Sequence, residues 1–134
     1  MRYDLNLIEQ LFREVGFPVH NTDRRVEIDL GLGAILCFQN AEPDEDCLIG
    51  FLGMPWHTHD NLMFADGCGN CIELDYLGLI AALKEGRVLI CELEAQGQTA
   101  DRWLIHSKCN DEFGHLVEGE RISVRRATIQ PADK

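Results

Sequence analysis

The chain has 134 residues, 46% of them hydrophobic, which is enough to build one ordinary core, so residues 1–134 are expected to form a single globular domain. The opening Met1-Arg2-Tyr3-Asp4 lacks the basic and apolar stretches of a secretory signal, and no apolar run approaches the ~20 residues needed to span a bilayer, so a cytoplasmic protein is expected. Twelve Lys and Arg against 23 Asp and Glu leave a net charge of −11, a field that repels phosphate backbones and anionic lipid and so disfavours nucleic acid and membrane surfaces as partners.

Leu5, Ile8, Leu11, Phe12 and Val15 recur at helical spacing, with Asp4 as N-cap and Gly16 then Pro18 as the stop, so a helix is predicted over 5–15. Val26, Ile28 and Leu30 alternate with Glu27 and Asp29, the pattern of a strand with one buried and one acidic face. Gly31 and Gly33 permit a turn into the apolar strand Ala34–Phe38, completing a hairpin. Gln39–Asp46 reads as an acidic loop around Pro43, and Cys47–Leu52 as a third strand. Residues 53–70, dense in Gly, His, Asp and Asn, show no period and are read as a long irregular stretch.

Cys71–Leu74 is a short strand, after which Asp75 caps a helix to about Glu85, with Leu77, Ile80, Ala81 and Leu83 expected inward and Gly86 as its end. Arg87–Ala95 and Thr99–Ser107 flank Gln96-Gly97-Gln98 as an antiparallel hairpin. A turn or short helix at 111–117 leads to a last strand over 121–127, and the tail at 129–134 is expected to fray. The predicted fold class is therefore α+β, an antiparallel or mixed sheet of about six to seven strands with two main helices packed on one face.

Six cysteines invite a disulfide reading, but Cys37 and Cys91 lie inside apolar strands, where a free thiol acts as a small hydrophobe, so reduced thiols are expected. The constellation with the most chemistry is His57-Thr58-His59-Asp60 followed by Cys68-Gly69-Asn70-Cys71. Two imidazoles and two thiolates suit a tetrahedral zinc, so His57, His59, Cys68 and Cys71 are the candidate metal ligands, with Asp60 as extra ligand or base. Eight residues separate the two halves, and neither matches a common zinc-finger spacing, so no cofactor is expected in the first reading and zinc belongs to the alternative. A redox role for the Cys68/Cys71 pair fits poorly, because in thioredoxin-like domains that motif follows a strand and opens a helix, whereas here it precedes a strand.

Over the few residues Pro55-Trp56-His57-Thr58-His59 the chain resembles the first metal motif of cupins, which would imply Fe, Mn or Zn inside a β-barrel. The later cupin motif with its third histidine is not evident, His106 and His115 being the only downstream candidates, and a helix interrupts the expected run of strands, so that fold is not adopted. Nucleophile elbows, helical His-Glu-x-x-His and phosphate-binding loops are missing, so no catalytic residue is assigned. Arg121, Arg125 and Arg126 on the closing strand are expected to meet Glu92 and Glu94 across the sheet.

Acidity is concentrated early. Residues 1–67 carry 4 basic and 12 acidic groups, and residues 68–134 carry 8 and 11. Between 42 and 66, Glu42, Asp44, Glu45, Asp46, Asp60 and Asp66 surround Trp56, Met63 and Phe64, apolar anchors in an acidic field that suit recognition of a basic protein. The functional expectation is a non-enzymatic binding protein of the immunity or inhibitor kind that occludes a basic partner such as a toxin; the competing reading is a zinc-binding module or metal-dependent enzyme. The alternative account of the charge is that acidity serves only solubility.

Overall fold

The computed structural model describes residues 3–22, 24–40, 47–59, 62–65, 71–108 and 118–128. Helix α1 (Leu5–Val15) starts where Asp4 accepts a hydrogen bond from the Leu7 amide at 3.1 Å and ends at Gly16, whose φ of 111° lets its amide reach the Phe12 and Arg13 carbonyls. Its buried stripe, Ile8 and Phe12, lies on a five-stranded antiparallel meander. The strands are β1 (Val19–Asn21), β2 (Arg25–Asp29), β3 (Ile35–Asn40), β4 (Cys47–Phe51) and β5 (His57–His59), in that spatial order.

Pairing places Val26, Phe38 and Ile49 in one transverse row and Ile28, Leu36 and Phe51 in the next, all buried, so alternation delivers one apolar face to the helices. A two-stranded ribbon of β6 (Leu62–Ala65) and β7 (Cys71–Leu74) follows, then α2 (Tyr76–Glu85), capped by Asp75 and closed by Gly86. β8 (Val88–Ala95), β9 (Gln98–His106) and β10 (Glu120–Arg125) form a third antiparallel sheet in the order β10-β8-β9.

The α+β class stands, but the strands divide differently from the expectation of one sheet of six to seven. Ten strands fall into three antiparallel sheets among the described residues. Residues 53–70, read as irregular, hold β5 and β6, because strands of three and four residues are too short to show a period of two. β1 is likewise below that limit.

The phase of α2 also differs. Leu79, Ile80, Ala82 and Leu83 are buried against β7 and β8, whereas Leu77 and Ala81 face outward. Leu-Gly-Leu-Ile-Ala-Ala-Leu is apolar nearly all round, so periodicity alone does not choose the inner face. The turn at 111–117 and the tail at 129–134 lie outside the described residues.

The sheets are latched at the β2–β3 turn. Arg125 Nη2 donates to the Gly31 carbonyl at 2.8 Å, and the Thr128 amide donates to the Leu30 carbonyl at 2.8 Å. Glu92 lies between Arg102 and Arg125 and pairs with both, and Arg121 makes a two-pronged contact with Glu94 at 2.9 and 3.0 Å, as the sequence suggested. Arg126 departs from that pattern and donates to the Lys84 carbonyl at the end of α2.

Candidate functional site

Away from the helices, the five-stranded sheet presents a second face built by the same alternation. Cross-strand register aligns His20, Glu27, Cys37, Gly50 and His57 in one row, and Arg25, Gln39, Leu48 and His59 in the next. Gly50 contributes no side chain to its row, and a cleft of about 260 Å³ lies there, walled by Leu48, Met54, Trp56 and His57 with Arg25 and Gln39 at one end. Glycine is also required sterically: a Cβ at position 50 would lie 3.0 Å from the Trp56 carbonyl and 3.1 Å from His57 Cβ.

The walls are held in place from outside the sheet. The Trp56 amide donates to Asp101 Oδ1 on β9 at 3.0 Å, and its ring packs on Phe51 with centroids 6.1 Å apart. His57 Nδ1 lies 3.2 Å from the Pro55 carbonyl. Beside the cleft, Arg25 pairs with Glu27 at 2.7 Å. On its floor, burial pushes the Cys37 thiol up to about 11, and the Glu27 carboxylate adds to that against the opposing charge of Arg25. A raised thiol pKa disfavours the nucleophilic thiolate at this position.

His57 and His59 project to the same side of edge strand β5, their rings 5.5 Å apart at 75°. Of the thiols paired with them in the zinc reading, Cys71 is exposed on the β6–β7 ribbon, a different sheet, and Cys68 lies outside the described residues, as does Asp60. Among the described residues no group of three or more His, Cys, Asp or Glu side chains is arranged to hold a metal ion. His106 is buried, and His115 lies outside the described residues.

Of the anchors expected for a protein partner, Trp56 lines the cleft, Met63 is 61% exposed on β6, and Phe64 is buried in the core with its ring 5.7 Å from His106. Glu42, Asp44, Glu45, Asp46 and Asp66 lie outside the described residues. No local pattern singles out Arg25, Gln39, Cys37 and Leu48, because only the strand register brings them together with Trp56 and His57.

The described residues hold 13 acidic and 10 basic side chains. Within the described set, Glu9, Glu27, Glu85, Glu92 and Glu94 are ion-paired, Asp4 and Asp75 cap helices, and Asp101 holds two backbone amides. The chain leaves the sheet for 41–46 at Asn40 and returns at Cys47, directly opposite, while His59, the last residue before 60, pairs with the neighbouring Leu48. These three points of departure occupy one end of the sheet. Gln39 and Leu48, at the edge of the cleft, are one residue away from it.

No helix among the described residues is long and apolar enough to cross a membrane. Compared with known protein families, curated proteins and solved structures, the chain matches none of them.

Proposed function

We propose that this is a small cytosolic binding protein, without catalytic activity of its own, that captures a basic protein partner in the manner of an immunity or inhibitor protein occluding a toxin. The observation that carries the reading is the meeting of acidic sequence and cleft: Asn40 and Cys47, between which Glu42, Asp44, Glu45 and Asp46 stand in sequence, adjoin Gln39 and Leu48 at the edge of the Trp56 cleft. A run of carboxylates attracts a cationic surface over roughly a Debye length, about 8–10 Å in ordinary salt, and speeds its encounter. A half-buried tryptophan in a cleft then supplies short-range contact of the kind that dominates interface energetics.

The test is capture by the immobilised protein from native-host extract at low ionic strength, followed by binding of the recovered protein at rising salt. A basic protein whose affinity falls with salt, and falls again in the Glu42→Gln/Asp44→Asn/Glu45→Gln/Asp46→Asn variant, supports the reading. Recovery of no basic protein, or affinity indifferent to that variant, overturns it.

The second reading, a zinc-stabilised module or metal-dependent enzyme, is favoured by one observation: the shared orientation of His57 and His59 on an edge strand. With Cys68 and Cys71 they would complete a tetrahedral N2S2 set. Elemental analysis of protein purified under reducing conditions without added metal decides it, one zinc per chain for and none against.

A further inference from the structure

We infer that the Trp56 cleft receives a tyrosine side chain of the partner, its ring against Trp56, Met54 and Leu48 and its hydroxyl at Gln39 and Arg25, an assignment that rests on the reading of this cleft as the partner's point of contact. The walls stand ready for it. The Trp56 amide is fixed by Asp101 and its ring packs on Phe51, while Gly50, where a Cβ would lie 3.0 Å from the Trp56 carbonyl, leaves the floor open. A site formed before its occupant arrives loses little to ordering when it is filled.

Size and lining set the body of the occupant. An apolar cavity of about 150 Å³ already takes benzene, so a cleft of about 260 Å³ walled by Trp56, Met54 and Leu48 has room for a six-membered ring and a polar substituent. An indole and a thioether are favourable neighbours for an aromatic ring. Serine, threonine and asparagine carry a polar group but leave such walls unfilled.

Charge excludes lysine and arginine. Among the described residues, none that lines the cleft is acidic, Arg25 stands at one end, and Glu27 beside it is already paired with Arg25 at 2.7 Å. A cation entering the cleft would lose water without gaining a free carboxylate. The basic side chains of the partner are thereby left to Glu42, Asp44, Glu45 and Asp46.

Gln39 sets the tip. It is half-buried in the lining, and its carboxamide makes no hydrogen bond among the described residues. Filling the cleft takes that carboxamide out of water, which is unfavourable unless the occupant carries a group to meet it. A hydroxyl at this end can donate to Gln39 Oε1 and accept from the Arg25 guanidinium, of which the pair with Glu27 engages Nη2. Phenylalanine offers neither function, and tryptophan offers a donor alone.

NMR titration of the intact, isotopically labelled protein with p-cresol, toluene and n-butylammonium tests this, read at the Trp56 indole N–H and the Gln39 side-chain amide. p-Cresol should move both signals with a Kd roughly in the millimolar range. It should bind at least about tenfold more tightly than toluene, although toluene is the more apolar, because only the phenol meets the carboxamide. n-Butylammonium should move neither signal. Gln39→Leu should reverse the order, making toluene the tighter ligand, with amide signals remote from the cleft unchanged. No binding of p-cresol, toluene binding as tightly as p-cresol, or n-butylammonium moving the same signals overturns the inference on the unaltered protein alone; a folded Gln39→Leu variant that keeps the preference for p-cresol overturns it as well. Capture of a basic protein from extract is read separately. Capture without phenol selectivity removes this assignment only, and selectivity without capture removes the basic partner while the preference of the cleft for a phenol stands.

Discussion

Asn40 holds Tyr3 as a neighbouring strand would: its side-chain oxygen accepts from the Tyr3 amide at 2.8 Å, and its Nδ2 donates to the Tyr3 carbonyl at 2.9 Å. The pair spans 37 residues and is buried, and Cys47 Sγ lies 3.3 Å from the same oxygen. A lone carboxamide on the core face of β3 is thereby satisfied on both its donor and acceptor sides, and α1 is fixed to the end of the sheet from which 41–46 departs. Asn40→Ala leaves two buried backbone groups without partners, at about 1–3 kcal/mol for each. Urea unfolding should show a loss of roughly 2–4 kcal/mol; a loss below about 0.5 kcal/mol would mean the bracket contributes little.

The ion pairs of the closing strand separate by burial. Arg102, Glu92 and Arg125 are only 12, 15 and 18% exposed, whereas Arg121 is 73% exposed beside Glu94. Burial alone would raise the Glu92 carboxyl, but the hydrogen bond from Arg102 and the charge of Arg125 outweigh it and hold the group below the ordinary range. Glu92→Gln strands two guanidinium groups between the sheets and should cost roughly 2–4 kcal/mol in chemical denaturation. Arg121→Ala should cost no more than about 0.5 kcal/mol. Equal losses would show that depth does not set the strength of these pairs.

His106 carries a pH dependence whose sign is fixed by its surroundings. It is 3% exposed, its ring packs 5.7 Å from Phe64, and its Nδ1 accepts from the Lys108 amide, which leaves the proton on Nε2. Burial lowers its pKa below 6.5, and the positive charges of Arg87 and Lys108 lower it further. The unfolded chain then takes up a proton more readily than the native one. Stability is complete above about pH 6.5 and declines below it, by at most about 1.4 kcal/mol per pH unit for one group. Glu92, also lowered, loses its contribution only as pH falls below its ordinary 4.5, so denaturation midpoints between pH 7.5 and 5.5 isolate the histidine. The midpoint should fall across that window, and His106→Asn, whose Oδ1 can stand in for Nδ1, should flatten the fall. An equal slope in the variant would assign it to another group.

What could be read from the residues follows the physics of each signal. α1, with its Asp4 cap, Gly16 stop and strongly one-sided apolar stripe, formed over the expected span, as did the hairpin around Gln96-Gly97 and the pairing of Arg121 and Arg125 with the glutamates of β8. Each depends on neighbours in sequence or on one tight turn. The candidate cleft depends on which row of one strand faces which row of the next: Cys37, Gly50 and His57 are distant in sequence and meet only through register. Asp101, which fixes Trp56 from another sheet 45 residues away, left no local trace at all. Composition disclosed that the chain is acidic, while the ion pairs of Glu27 with Arg25 and of Glu85 with Arg87 emerged only from the structure.

Gly50, in β4, and Gly53, just after it, both precede Met54 and Trp56 on the way to β5, and they are glycines for different reasons. Gly53 has a φ of +76° with nothing within 4 Å of the point a Cβ would occupy, so Gly53→Ala costs only backbone strain, about 1–2 kcal/mol. Gly50 is crowded instead: an added methyl meets the Trp56 carbonyl, a backbone atom that cannot rotate away, so β5 must separate from β4 at an overpacking cost of about 1–3 kcal/mol. Because the Trp56 amide is tied to Asp101, that separation pulls directly on the wall of the cleft. In a Trp103→Phe background, where Trp56 is the sole tryptophan, Gly50→Ala should shift the emission maximum and Gly53→Ala should leave it in place. Identical spectra for Gly50→Ala and its parent would show that the strand absorbs the methyl without moving the tryptophan, and that the close approach at Gly50 is not what positions the cleft.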